Sequence, residues 1–357
     1  MRLARHALLR AAAVLLPSVQ WLDRSSNAYA AVDSTYTEVP LGLCGGAYCV
    51  AYTVDGQQFR AVVDTGSPFL TVDGTCSGSA GRWGCYDGEG MKAGLGDSEL
   101  SFAGQDVLVK WRRGKFALVG SSGDSSEPLQ IDEAVFGIVR GSRSTFGSSA
   151  IFFGLVKESG SRLGRYPTLL SQTSVGSLRF DFLRRRMLLS SKSLIPADVD
   201  AVPIVDLRPR APDLKYACTV SRLFVNGRMV PLDAPCVAII DTGTTGLTVS
   251  EALYESRPEF YAERAAAVRI ELETEQRNLC ALEASVRRRR SASTGIPSID
   301  VDLASPEFDE FPLVVSSVPI RWGTGRRGAP YVLFVGLAFL WQRQVTIDID
   351  QQRLSIV

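Results

Sequence analysis

A chain of 357 residues is too long for one small core and points to two domains or lobes. Apolar residues make up 45% and charged residues 22%, and the formal net charge of +1 leaves no global field to attract nucleic acid or an acidic partner. No window reaches the ~18 uninterrupted apolar residues that a membrane span needs. The single histidine, His6, lies near the start of the chain. Beyond it there is no imidazole, which excludes Ser-His-Asp and Cys-His nucleophilic mechanisms and His-ligated zinc. A hydrolase built from this chain must move protons with carboxylates.

Residues 1–22 carry Arg2, Arg5 and Arg10 and no acid, with a short apolar stretch, AAAVLLP. A polar run then ends in Ala28-Tyr29-Ala30. A basic start, an apolar middle and a small-x-small end describe a cleaved targeting leader over 1–30. The Arg- and Ala-rich composition resembles the last part of a thylakoid-lumen targeting sequence, so a plastid location is expected. The alternative is the secretory route, ending outside the cell or in a vacuole.

The next elements read as β-structure. Thirty-two Gly and seventeen Pro, with many Val, Ile, Thr and Phe in short runs, suit strands and turns. AYCVAYTVDGQQFRAVVDTGS is a hairpin around Asp55-Gly56 whose second strand runs into Asp64. DVLVKWRRGKFALVG reads as another hairpin, turning at Arg112-Arg113-Gly114. Residues 121–130 read as a loop, AIFFGLV as a buried strand ending at Gly154, PTLLSQ as a short helix or turn, and SLRFDFLRRRMLLS as a strand pair. After a Pro-rich link, LIPADVDAVPIVDLRPRAPDL, the plan repeats. ACTVSRLFVNGRMVPL is a hairpin around Asn226-Gly227, followed by CVAIIDTGTTGLTVS. Residues 251–275 read as helix, YVLFVGLAFL as a buried strand ending at Gly336, and VTIDIDQQRLSIV as a closing hairpin. The Arg-rich stretch 285–295 lacks interleaved aromatics and reads as a solvated loop.

All seven cysteines lie beyond the leader. Cys44 with Cys49 and Cys76 with Cys85 sit in Gly-rich loops where a local disulfide is easy, which favours an oxidising compartment. The pairing of Cys218, Cys236 and Cys280 stays open.

The repeat carries chemistry. AVVDTGSPFLTV at 61–72 returns as AIIDTGTTGLTV at 238–249, one copy in each half. A carboxylate after a buried β-run is costly unless it is hydrogen-bonded. Gly66 and Gly243 allow a sharp turn that brings backbone N–H groups to the carboxyl oxygens. Thr65, Ser67, Thr242 and Thr244 add hydroxyl donors. One such turn is ordinary loop chemistry. Two, facing each other across a pseudo-two-fold axis, would hold Asp64 and Asp241 close enough to share one proton. The ionised member could then activate water and the protonated member polarise a carbonyl, with no cofactor and no metal.

These residues resemble the pepsin-like, two-lobed eukaryotic aspartic proteases, from about residue 35 to the end. Beyond Asp64-Thr65-Gly66-Ser67 and Asp241-Thr242-Gly243-Thr244, the likeness includes Phe152-Phe153-Gly154 and Phe334-Val335-Gly336, which in that family thread beneath each catalytic loop. The closing VTIDIDQQRLSIV and the Cys76–Cys85 loop also resemble it. The resemblance implies an all-β fold with minor helices: two pseudo-two-fold related β-lobes, 31–195 and 196–357, with the active-site cleft between them. It implies a monomeric endopeptidase acting on an extended polypeptide through Asp64 and Asp241. It also puts Trp111 where the family's flap hairpin carries a Tyr, either as a flap residue or as packing within the hairpin. The alternative is a pepsin-fold binding or inhibitor protein without catalysis, although both Asp-Thr-Gly copies are intact. Members of the family often carry a pro-segment. Here the first strand begins near Thr35, just after the expected cleavage at Ala30, so no zymogen step is expected. Mass spectrometry of the active protein should find an N-terminus near residue 31; a start well inside the first lobe would overturn this.

Overall fold

The alternation of apolar and polar residues around two tight turns determines how each half begins. The computed structural model describes residues 36–44, 47–74, 76, 83–102, 105–118, 128–140, 151–158, 164–207, 215–260, 265–288, 312–316 and 330–357. The expected leader and residues 289–295 of the Arg-rich stretch lie outside these, as does most of the loop at 121–130. Residues from Ser34 to Val357 belong to one compact unit. Strands dominate it and helices are short, so the all-β class holds.

In the first half, β1 (Tyr48–Val54) and β2 (Gln57–Asp64) form the expected hairpin. Asp55 and Gly56 turn it with φ of 50° and 77°, the left-handed pair that matches the twist of the flanking strands. The chain continues through β3 (Thr71–Asp73), β4 (Gln105–Leu118), β5 (Gln130–Arg140) and β6 (Phe152–Gly154). The pairing order is β6-β2-β1-β4-β5-β3. A bridge from Leu70 to Phe153 brings the last strand back towards the first, so the sheet curls on itself.

The expected hairpin at Arg112–Gly114 is corrected here. Residues 105–118 form one long strand, with a break in register between Gly114 and Phe116 against β5. Val107, Val109 and Trp111 are buried at alternate positions, Arg112 is buried directly after Trp111, and burial then continues at Gly114, Phe116 and Leu118. The alternation changes phase between Trp111 and Arg112, ahead of the register break, whose extra residue lies in β5, and in the sequence that change looks like a turn. Gly114 is needed there because a Cβ would lie 2.5 Å from the Asp55 carboxylate.

The second half builds β7 (Ala217–Val225), β8 (Cys236–Ile240), β9 (Leu247–Ser250), helix α1 (Glu251–Ser256), β10 (Ala265–Glu273), β11 (Leu279–Arg288), β12 (Pro312–Ser316), β13 (Tyr331–Val335) and helix α2 (Leu337–Leu340). Asn226 and Gly227 turn the first hairpin with φ of 50° and 75°. The order is β7-β8-β13-β9-β12-β11-β10, and β10 pairs back with β7, closing the ring. Both halves pair their strands in the same way. The strand before each Asp-Thr-Gly lies parallel to the strand that ends at Gly154 or reaches Gly336, and the strand after each motif pairs in parallel with a later one.

The helix expected over 251–275 ends at Ser256, and residues 265–273 are a strand instead. Ala, Arg and Glu favour helix locally, but Ala266, Val268, Ile270 and Leu272 are buried at every second position, with Glu271 buried beside them. Period-two burial against β7 and β11 overrides propensity.

A third sheet joins the halves. Strands Tyr36–Pro40, Ser177–Asp181 and Arg186–Ser190 come from the first half. The closing hairpin, Gln344–Asp348 with Arg353–Ile356, and Val202–Pro203 complete it. The expected division near residue 195 therefore falls in a region where both parts of the chain share one sheet. Cys44–Cys49 and Cys76–Cys85 are disulfides, while Cys218, Cys236 and Cys280 are free thiols. Among the described residues no helix is long and apolar enough to cross a membrane.

Candidate active site

Each Asp-Thr-Gly turn folds around its own carboxylate. The Gly66 N–H donates to Asp64 Oδ1 at 2.7 Å, and the Ser67 hydroxyl donates to Oδ2 at 2.5 Å. In the other half the Gly243 N–H donates to Asp241 Oδ1 at 2.9 Å and the Thr244 hydroxyl to Oδ2 at 2.8 Å. Both carboxylates thus receive one backbone and one hydroxyl donor in the same order.

The two turns also hold each other. The Thr65 hydroxyl donates to the Ile240 carbonyl at 2.7 Å and accepts the Thr242 N–H at 3.0 Å. The Thr242 hydroxyl donates to the Val63 carbonyl at 2.7 Å and accepts the Thr65 N–H at 3.1 Å. Both threonines are fully buried. This reciprocal set brings residues half a chain apart into one compact site.

Glycine lets the carboxyls approach. A Cβ on Gly66 would lie 3.0 Å from the Asp241 carboxyl, and one on Gly243 would lie 2.5 Å from Asp64 Oδ1. Each aspartate therefore packs against the glycine of the opposite motif. Burial pushes the Asp64 carboxyl well above the usual carboxylate range, and the adjacent Asp241 charge adds to the rise. The Ser67 and Gly66 hydrogen bonds oppose it without cancelling it.

Beneath each loop lies the apolar-apolar-Gly element. Gly154 N–H donates to the Phe69 carbonyl at 3.1 Å, Leu155 N–H to Asp64 at 2.8 Å and Val156 N–H to Ser67 at 3.0 Å. Opposite them, Gly336 N–H donates to Gly246 at 3.0 Å, Leu337 N–H to Thr244 at 2.9 Å and Ala338 N–H to Thr245 at 2.9 Å. A Cβ on Gly154 would sit 2.5 Å from the Phe69 nitrogen, and one on Gly336 would overlap the Thr244 carbonyl. Backbone atoms cannot rotate out of the way. Gly154→Ala and Gly336→Ala should each destabilise the fold by about 3 kcal/mol and displace the loop above, read as a lowered thermal midpoint. A native midpoint would mean that these loops shift freely.

Trp111 does not stand at a hairpin tip. Its indole is buried, stacks on Tyr166 at 4.6 Å and meets Phe69 edge-on at 5.0 Å. Its Nε1–H donates to the Ser98 hydroxyl at 2.9 Å. It packs the layer that carries Phe69, two residues beyond the first motif. The sequence reading missed Tyr216, whose hydroxyl donates to the Leu155 carbonyl at 2.6 Å. No local motif marks that residue. No protein-family model matches the chain, and no curated protein matches it.

Proposed function

We propose that the protein is an aspartic-type endopeptidase of the pepsin-like, two-lobed kind, with Asp64 and Asp241 as its catalytic pair. One observation carries this reading: the glycine of each motif packs against the carboxyl of the other, so two nearly buried acids share one site. Two carboxyls so placed cannot both ionise cheaply, and one proton is shared between them. The ionised member takes a proton from a water molecule, whose oxygen attacks the peptide carbonyl carbon. The protonated member gives its hydrogen to the carbonyl oxygen. The resulting diol collapses as the C–N bond breaks and the amine nitrogen takes up a proton from the pair. The substrate is an extended polypeptide with apolar side chains flanking the cut, and the enzyme acts as a monomer.

Two disulfides favour an oxidising compartment. On the leader's composition we place it in the thylakoid lumen, with the secretory route as the alternative.

The test uses residues 31–357 made in an oxidising host. Cleavage of an unfolded protein is followed from pH 3 to 8, with and without pepstatin and beside Asp64→Asn. Cleavage that vanishes with the inhibitor and in the variant supports the reading. A well-folded protein that cleaves nothing at any pH overturns it in favour of a binding protein on the same scaffold.

A further inference from the structure

We propose that Tyr216 is a positioning residue for the pair, tying both catalytic loops through one side chain and one carbonyl; this rests on the peptidase reading above. Tyr216 immediately precedes β7 and is buried. Its backbone carbonyl accepts the Ile240 N–H at 3.2 Å, one residue before Asp241. Its hydroxyl donates to the Leu155 carbonyl at 2.6 Å. Leu155 in turn donates its N–H to the Asp64 carbonyl at 2.8 Å. Thr65 completes the ring by donating its hydroxyl to the Ile240 carbonyl. The path Tyr216–Ile240–Thr65–Asp64–Leu155–Tyr216 is closed and crosses between the halves twice.

Two features separate this residue from ordinary core packing. Its φ is 51°, in the left-handed region that bulky side chains seldom occupy. Strained backbone of this kind persists only where the surroundings over-determine it, and it clusters at functional sites. Cys49 pairs with Val62 and Ala217 with Ile239, each two residues before its aspartate, so Tyr48 is the first-half counterpart of Tyr216. The Tyr48 hydroxyl donates to the Phe182 carbonyl at 3.4 Å, within its own half. Of the two tyrosines, the one in the second half carries its hydroxyl across to the backbone beneath the other half's loop, and that difference breaks the pseudo-symmetry at the point where the two loops must be held in register.

The test compares the native protein with Tyr216→Phe, which keeps the ring and removes the hydroxyl. A control, Met187→Ala, alters a fully buried residue in the shared sheet, away from the loops. Tyr216→Phe should lower kcat about tenfold and leave KM within about twofold, because small misplacements at the reacting centre are amplified in rate. The control should lose thermal stability without the same fall in kcat. An unchanged kcat, or a fall matched by the control, overturns the proposal. The carboxyl carbons of aspartates labelled with 13C are titrated in all three proteins, a readout that needs no turnover. The apparent midpoint of Asp64, assigned with Asp64→Asn, should move in Tyr216→Phe alone. Superimposable curves overturn the proposal even if the native chain cleaves nothing, so the two readings fail separately.

Discussion

Replacing Asp64 with asparagine is expected to abolish cleavage and, at the same time, to make the folded protein relatively more stable at neutral pH. The catalytic loss follows from the chemistry. An amide can neither take a proton from water nor carry the shared one, and positioned proton transfer accounts for about 10²–10⁴ in rate. The stability gain follows from linkage. Burial and then the Asp241 charge raise the folded-state pKa of Asp64, whereas an unfolded carboxyl titrates near ~3.9. Below that value both states hold the proton, and the contribution of Asp64 to stability is fully present. As pH rises from there through the folded-state pKa, the unfolded chain binds fewer protons than the folded one, so unfolding becomes easier. Each unit by which the folded value exceeds the unfolded one is about 1.4 kcal/mol. Asp200 and Asp233 are shifted the other way, mainly by the Thr274 and Tyr331 hydroxyls respectively. Their contributions are lost as pH falls, but they are common to both proteins and cancel in the comparison. Thermal midpoints of native and Asp64→Asn protein from pH 3 to 8 should therefore diverge upward from about pH 4, with the variant above. A constant gap would show that the native fold does not hold this proton.

Much of the frame could be read from local signals because those signals are local in origin. Asp55-Gly56 and Asn226-Gly227 turn as expected, since the left-handed backbone they adopt is a property of the dipeptide. Gly154 and Gly336 end apolar runs because a Cβ there would strike backbone. The errors arise where packing outvotes propensity. Ala265–Glu273 contains good helix formers but buries alternate residues between two strands. The Arg112–Gly114 stretch resembles a turn but lies where the buried face changes inside one strand. Gln130–Arg140, the main partner of that strand, begins at the end of the loop expected over 121–130 and has no expected element of its own. For the site, the repeated motif named the two acids and their immediate donors. The repeat alone could not show the exchange of hydrogen bonds between Thr65 and Thr242, nor the reach of Tyr216 into the other half. Those contacts depend on how two distant turns meet, and nothing adjacent in the chain encodes them.

Thr65→Val and Thr242→Val should each destabilise the protein by about 2–5 kcal/mol, because each hydroxyl serves as donor and acceptor in a buried site. Valine keeps the shape of threonine, so little packing is lost. Thr65→Val deprives the Ile240 carbonyl of one donor and leaves the Thr242 N–H without its acceptor. Thr242→Val does the same to the Val63 carbonyl and the Thr65 N–H. Both residues are fully buried, and water cannot replace the missing partner without disturbing the loops. Serine at either position retains the hydroxyl and should stay close to native. The double variant is the sharper measurement. If the two threonines work as one clasp, breaking either loosens both loops, and the second substitution should destabilise by less than it does alone, with a coupling of about 0.5–3 kcal/mol in a double-mutant cycle read by urea unfolding. Catalysis should fall further than stability predicts, since the clasp also sets the spacing of Asp64 and Asp241. Additive, small effects would mean that each half holds its own loop, and that the proximity of the two carboxyls is maintained by the shared sheet and the Gly154 and Gly336 supports instead.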